Sequence, residues 1–239
     1  MFATEYNKQS ETKFSIKCEK RLLKIKSRYQ NIEIYKTKKY GNLMMLDDCI
    51  MITERGNEQY HDQCVSLTKK NKRRLKVLII GGGDFGLVKK LFQQVDIKKL
   101  FIVEIDEKVI DISMKYFPSF FSITKKNKEK IIITVRDGYS WMRDNQISFD
   151  IIIVDCTDPN LIAKKLYSKN FYKYIYRSLS NNGFLIQQSG SPMLNKKDII
   201  DPTIRNLKSL KFKDIKLNPF NMPIYPSGQW SFIKCKKAQ

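Results

Sequence analysis

Residues 76–86 read KVLIIGGGDFG. Val77, Leu78, Ile79 and Ile80 run without a polar break into Gly81, Gly82 and Gly83, and then Asp84. A continuous apolar run has no polar face, so it predicts a strand buried on both sides. Glycines at its end let the backbone approach a ligand closely. The stretch that follows, FGLVKKLFQQ, predicts a helix whose first N–H groups are free to meet that ligand. The same unit recurs downstream in KLFIVEI, EKVIDISMKYF, IIITV, FDIIIVD, NFYKYIYRSL and GFLIQQ. Apolar strands separated by helices predict a doubly wound α/β domain with a parallel sheet, its first strand starting near Arg74. Upstream, RLLKIKS, QNIEIYK, NLMMLD and CIMIT alternate with period two and turn signals between them. They predict antiparallel strands, hence a small N-terminal β-domain over residues 1–55 and a larger domain over residues 56–239. NEQYHDQCVSLTKK, between them, predicts a helix.

Composition narrows the function. The 239 residues are 42% hydrophobic, enough for one large domain with a small extension. Lys and Arg number 45 against 24 Asp and Glu, a net charge of +21. The basic residues are spread along the chain in runs such as TKKNKEK and SLTKKNKRR, where solvated loops are expected. Net charge of that kind predicts non-specific attraction, not specific nucleic-acid binding. No run approaches the ~18 apolar residues of a membrane span. The start, MFATEYNKQS, lacks the charged-then-apolar pattern of a secretory leader. The five cysteines are odd in number, scattered, and form no CxxC pair, and His61 is the single histidine. Neither a disulfide framework nor a thiolate or imidazole-rich metal site is expected. The expectation is a reduced, cytoplasmic protein with no metal and no membrane.

Chemistry-bearing residues gather at the predicted strand ends. Glu104, in FIVEID, lies about 20 residues beyond the glycines, where a carboxylate can hold ribose hydroxyls; a helix-capping acid is the alternative. Asp84 inside the glycine turn would repel a bare pyrophosphate, so a ligand with a cationic portion fits better, as in S-adenosyl compounds. Asp137 and Gly138, in RDGYSWM, fall just past the third strand, where such folds meet adenine; an N-cap is the alternative. FDIIIVDCTDP, residues 149–159, ends a strand on Asp155 and Asp158. Two neighbouring carboxylates repel unless a cation sits between them, and an amine substrate would supply one. Asp158 alone reads equally as an Asx-turn.

Together these stretches resemble the spermidine synthases, or polyamine aminopropyltransferases, over nearly the whole chain. The matching segments are YGNLMMLDDCIMITER, QYHD, VLIIGGGDFG, VEIDEKVI, RDGYSWM, FDIIIVDCTDP, LYSKNFY and MPIYPSGQWSF. The resemblance implies a Rossmann-like S-adenosyl-binding domain behind the β-domain, in a homodimer or homotetramer. It implies aminopropyl transfer from decarboxylated S-adenosylmethionine to putrescine, with no cofactor beyond that co-substrate. Carried over by position, Gln30 and His61 would hold the aminopropyl end of the donor, Asp84 its amine, Glu104 its ribose, and Asp137 with Gly138 its adenine, with Gly81 among the donor-binding residues. Asp155 would be the general base, with Tyr60 and Tyr225 beside the reacting amine. Asp158 would anchor the far ammonium and Gln188 would lie close by. A tyrosine at 60 or 225 reads alternatively as a core residue.

The match has gaps. Gly56 and Asn57 replace two acids of the usual TERDE, Asp48 stands where the family has Gly, and Met51 where it often has Gln. Phe85 stands where a small residue is common, and DCTDPNLIAKKL lacks the Gly-Pro of the usual lid loop. The chain also ends soon after YPSGQW, at Gln239, short of the length expected of the family. Three other readings compete: transfer to another amine such as cadaverine, S-adenosylmethionine-dependent methylation of RNA, and a scaffold that kept the fold without the chemistry.

Overall fold

The computed structural model describes residues 1–8, 10–68, 74–159 and 162–238. The period-two segments form β3 (Lys20–Lys26), β4 (Asn31–Thr37), β5 (Gly41–Leu46) and β6 (Cys49–Thr53), one antiparallel sheet in chain order. Ahead of it lies a hairpin absent from the sequence reading, β1 (Phe2–Asn7) with β2 (Thr12–Lys17). Next comes α1 (Glu58–Ser66); the end of the helix expected here falls on Lys69 and Lys70, outside the described residues.

The remaining elements build the large sheet and its cover: β7 (Leu75–Gly81), α2 (Gly86–Gln94), β8 (Ile97–Glu104), α3 (Glu107–Tyr116), α4 (Lys125–Lys128), β9 (Ile131–Val135), α5 (Gly138–Asp144) and β10 (Phe149–Asp155). After them come α6 (Lys169–Ser178), β11 (Leu179–Gln188), α7 (Asp201–Ser209), β12 (Lys213–Asn221) and β13 (Gln229–Lys236). Strand order is β12-β13-β11-β10-β7-β8-β9. The expected parallel sheet needs one correction: β13 runs antiparallel to both β11 and β12, because a tight turn at 222–228 joins β12 directly to it. A second concerns β9. Its Ile132 and Ile133 are 39% and 46% exposed, since this edge strand lacks the cover its apolar run suggested. The run TKKNKEK, expected as loop, holds the single turn α4.

Strand alternation divides the core. Val77, Ile79, Ile151 and Ile153 face α1 and α2, whereas Leu78, Ile80, Ile152 and Val154 face α5, α6 and α7. A third cluster locks the two sheets together: Ile32, Ile34, Met44 and Ile52 pack on Val109, Ile112 and Phe117 at α3. The chain leaves β7 toward β8 and β9, then returns to β10 on its other side. This switch point opens a crevice beyond the carboxyl ends of β7, β8 and β10. Among the described residues, no helix is long and apolar enough to cross a membrane.

Candidate active site

The crevice is a cavity of about 410 Å³, and all twelve residues named from the sequence line it. Gly81 makes the strand ends converge. Its φ is +84°, and a Cβ there would lie 2.1 Å from the Asp155 carbonyl oxygen. The next N–H, of Gly82, donates to that carbonyl at 2.9 Å. A side chain at 81 would pry β7 from β10 at the point where Asp155 emerges. Phe85, the other departure at this turn, caps α2 in the left-handed region (φ 63°). Its ring stacks on Phe121 at 4.5 Å, a packing gain that offsets the backbone strain.

Asp155 opens into the cavity and is otherwise enclosed by protein. Its Oδ1 accepts from the Tyr60 hydroxyl at 2.5 Å. Burial, then the charge of Asp84, pushes its pKa up to about 7, against the pull of the Tyr60 hydrogen bond. Tyr60 comes from α1 and is buried; burial and the Asp155 charge hold its phenol protonated. Tyr225, at the start of the Pro-Ser-Gly turn, stands edge-on to Tyr60 at 6.0 Å and donates to the Met51 carbonyl at 2.6 Å. His61, one residue along α1, has its pKa lowered to about 4 by burial first and Lys90 second, so its ring is neutral at pH 7.

The other carboxylates are held by neutral donors. Asp84 accepts from the Gly86 N–H at 2.6 Å, and burial raises its pKa. Glu104 accepts from the N–H groups of Gly83 (3.2 Å) and Asp106 (3.0 Å), and burial pushes it up to about 7. Gln30 reaches the same loop, donating to Asp106 Oδ2 at 3.0 Å. Asp137 is an N-cap as its alternative reading had it, accepting from the N–H groups of Tyr139 and Ser140, and it lines the cavity as well. Asp158 Oδ1 accepts from Gln188 Nε2 at 3.1 Å. The Gln188 amide is oriented from behind: Trp230 Nε1 and the Gly190 N–H both donate to its Oε1.

Among the lining residues to which the sequence reading gave no role are Glu5, Cys49 and Asn57. Glu5, from β1, accepts from the Ile50 N–H at 2.8 Å, and burial pushes it up to about 7, with the charge of Asp158 adding to the rise. Cys49 lies alongside, its thiol raised to about 12 by burial. Asn57, 2% exposed, stands at the start of α1. No local signal marks Glu5, since it sits in a polar N-terminal stretch and meets the cavity only through tertiary packing. The lid loop after Asp158 includes Asn160 and Leu161, outside the described residues.

The lining is one-signed. Glu5, Asp47, Asp84, Glu104, Asp137, Asp155 and Asp158 face the cavity, with no Lys or Arg among its described lining residues. Such a site selects cations, and the partly apolar wall suits an alkyl chain. The comparisons agree with that chemistry. A spermine/spermidine synthase domain model matches residues 44–239, and a spermidine synthase tetramerisation domain model matches residues 1–54. The polyamine aminopropyltransferase of Methanocaldococcus jannaschii is 38% identical over 237 residues, covering 98% of this chain and 79% of that protein. That of Halorhodospira halophila is 33% identical over 232 residues, covering 95% and 82%. A crystal structure of a spermidine synthase in complex with the transition state analogue AdoDATO superposes with a TM-score of 0.91 at 25% identity, covering all of this chain and 80% of that one. The spermidine synthase of Thermotoga maritima does so at 0.86, with the same identity and coverage. A cation-selective cleft on this topology, matched along both halves of the sequence, makes the chain a member of the spermine/spermidine synthase family of polyamine aminopropyltransferases.

Proposed function

We propose that the protein transfers the aminopropyl group of decarboxylated S-adenosylmethionine to putrescine, giving spermidine and methylthioadenosine. The observation that carries this reading is the Tyr60–Asp155 pair, 2.5 Å apart at the end of β10, in a cavity with no Lys or Arg among its described lining residues. In the reaction, the amine nitrogen attacks the methylene next to the donor's sulfonium. The C–N bond forms as the C–S bond breaks, and the electron pair leaves on sulfur as a neutral thioether. An alkylammonium has no lone pair, so a proton must depart; Asp155, poised near neutral pH, takes it. Tyr60 and Tyr225 flank that nitrogen.

Asp158 and Glu5 hold the far ammonium, with Gln188 fixing Asp158. Gln30, His61, Gly81 and Asp84 serve the aminopropyl end, Glu104 the ribose, and Asp137 with Gly138 the adenine. Holding both substrates in line supplies much of the acceleration. No further cofactor enters the scheme. We also propose a homo-oligomer built on the N-terminal β-domain, residues 1–55. The support is the exposure of Phe2 (61%) and Tyr6 (49%) on β1 and the description of the family model matched there.

The test incubates the protein with decarboxylated S-adenosylmethionine and a panel of amines, and reads methylthioadenosine by mass. Putrescine should be the best acceptor. A better rate with cadaverine or spermidine would reassign the acceptor, and no product from folded protein would overturn the reading.

A further inference from the structure

Gly86 breaks a local rule. It opens α2 outside the left-handed region, so its backbone is one that alanine adopts, and alanine would favour the helix. The space beside it is what excludes a side chain. A Cβ there would lie 2.3 Å from both Cε1 and Nε2 of His61 and 3.1 Å from Asp84 Oδ1. The first two separations are shorter than van der Waals contact allows, so the His61 ring lies directly on the face that Gly86 leaves bare. The Gly86 N–H donates to that same Asp84 oxygen at 2.6 Å. Two cavity-lining residues, one from α1 and one from the glycine turn, thus converge on a single glycine.

The ring has little room to step aside. His61 is 5% exposed, with Tyr60 edge-on at 5.8 Å and Phe120 edge-on at 5.9 Å. Among the described residues no hydrogen bond holds the ring, so packing sets its place. The Lys90–Asp62 ion pair, at 2.7 Å, ties α2 to α1 beside it. A neutral imidazole keeps one nitrogen with a lone pair. We propose that Gly86 is a positioning residue for the donor: its missing side chain seats the His61 ring beside Asp84, so that an imidazole lone pair and a carboxylate meet the donor's primary ammonium together. This rests on the aminopropyl-transfer reading. Asp84 supplies the charge, and His61 supplies an acceptor that gives direction without repelling the cation.

Gly86→Ala keeps the N–H bond to Asp84 and adds only the Cβ that His61 must avoid. Methylthioadenosine release is measured for the parent, G86A, H61A and the double variant, varying donor and diamine in turn. KM for decarboxylated S-adenosylmethionine should rise about tenfold in G86A, with KM for the diamine unchanged. In the H61A background, where the ring is gone, Gly86→Ala should cost nothing more. Losses that multiply independently, or a donor KM equal to the parent's, would overturn the proposal. A G86A that fails to fold while the double variant folds still places the clash at His61. A double variant that also fails would show that Gly86 serves other packing, and overturns it. His61 is the single histidine, so its Cε1–H signal in proton magnetic resonance reads the ring without turnover. The parent ring, with its pKa lowered to about 4, should give a signal that holds still from pH 8 to pH 5. That of G86A should titrate in the same interval, as the ring moves toward the cavity and its carboxylates. A parent that releases no methylthioadenosine sinks the transfer reading instead. The histidine signal then decides on Gly86 alone, and one that G86A leaves unmoved would refute the seating of the ring.

Discussion

Replacing Asp155 with Asn should abolish turnover and stabilise the fold at once. The two effects come from the same charge. Asn keeps the shape and can still accept from the Tyr60 hydroxyl, so the pocket stays intact. It cannot take a proton, and general-base catalysis is worth about 10²–10⁴ in rate. A thousandfold loss in kcat corresponds to ~4 kcal/mol. The stability sign runs the other way. The pKa of Asp155 rises from 3.8 unfolded to about 7 folded, so the native state binds the proton more tightly. Stability therefore falls as pH rises through that interval, and the penalty is complete above pH 7. The full shift equals roughly 4 kcal/mol at 1.36 kcal/mol per unit. Water in the open cavity and coupling to Asp84 reduce this, leaving a gain on the order of 2 kcal/mol for the variant. D155N should melt several degrees above the parent at pH 8 and level with it near pH 4, as followed by calorimetry. Single-turnover methylthioadenosine release measures the rate. A variant that loses no stability advantage between pH 8 and pH 4, or that turns over at the parental rate, would refute the assignment of a strained buried base.

Glu5→Gln should raise the KM for the diamine about tenfold with kcat little changed, because it removes one of two carboxylates at the far end; a fall in kcat alone would contradict that placement. Gly81→Ala should give little or no active protein, since its Cβ would overlap the Asp155 carbonyl; wild-type activity in a folded variant would show that β7 and β10 can separate there. Salt should help this enzyme at low ionic strength. A net charge of +21 repels a dicationic amine over a Debye length of ~30 Å at 0.01 M salt, which shrinks to ~8 Å at 0.15 M. The expected result is a severalfold rise in kcat/KM across that range, and a steady fall would mean that the acidic cavity dominates encounter.

The parallel strands were legible because apolar runs such as Val77–Ile80 and Ile151–Val154 have two buried faces, and their core partners alternate accordingly. The edges were not. Ile131–Val135 looks as apolar as the central strands, and only its place in the strand order leaves Ile132 and Ile133 exposed. The antiparallel course of β13 depends on a turn whose Ser227 adopts a φ of 69°, a conformation that serine does not advertise. Within the site, Gly81, Glu104, Asp155 and Asp158 were legible because strand ends announce themselves. Glu5 and Asn57 were not, because one arrives from a hairpin distant in sequence and the other looks like an ordinary helix cap.

The partner chosen for each acid explains how so basic a chain keeps an acidic cavity. Outside the cavity, carboxylates meet cations. Glu33 lies against Tyr35, Lys24 and Arg21, which outweigh burial and lower its pKa, and Asp144 is pulled to about 2 by Arg143 and then Arg136. Inside, the donors are neutral: backbone N–H groups for Glu5, Asp84 and Glu104, a phenol for Asp155, an amide for Asp158. A neutral donor orients a carboxylate without cancelling its charge. An arginine in the same place would have stabilised the empty protein and occupied the position of the substrate. Withholding cations leaves Glu5, Glu104 and Asp155 raised to about 7. An entering dication should therefore expel protons from them, so diamine binding should strengthen as pH rises from 6 to 8, until the amine itself begins to lose charge. Calorimetric titration in buffers of different ionisation heat would count those protons, and binding without proton release would show that the carboxylates are already ionised.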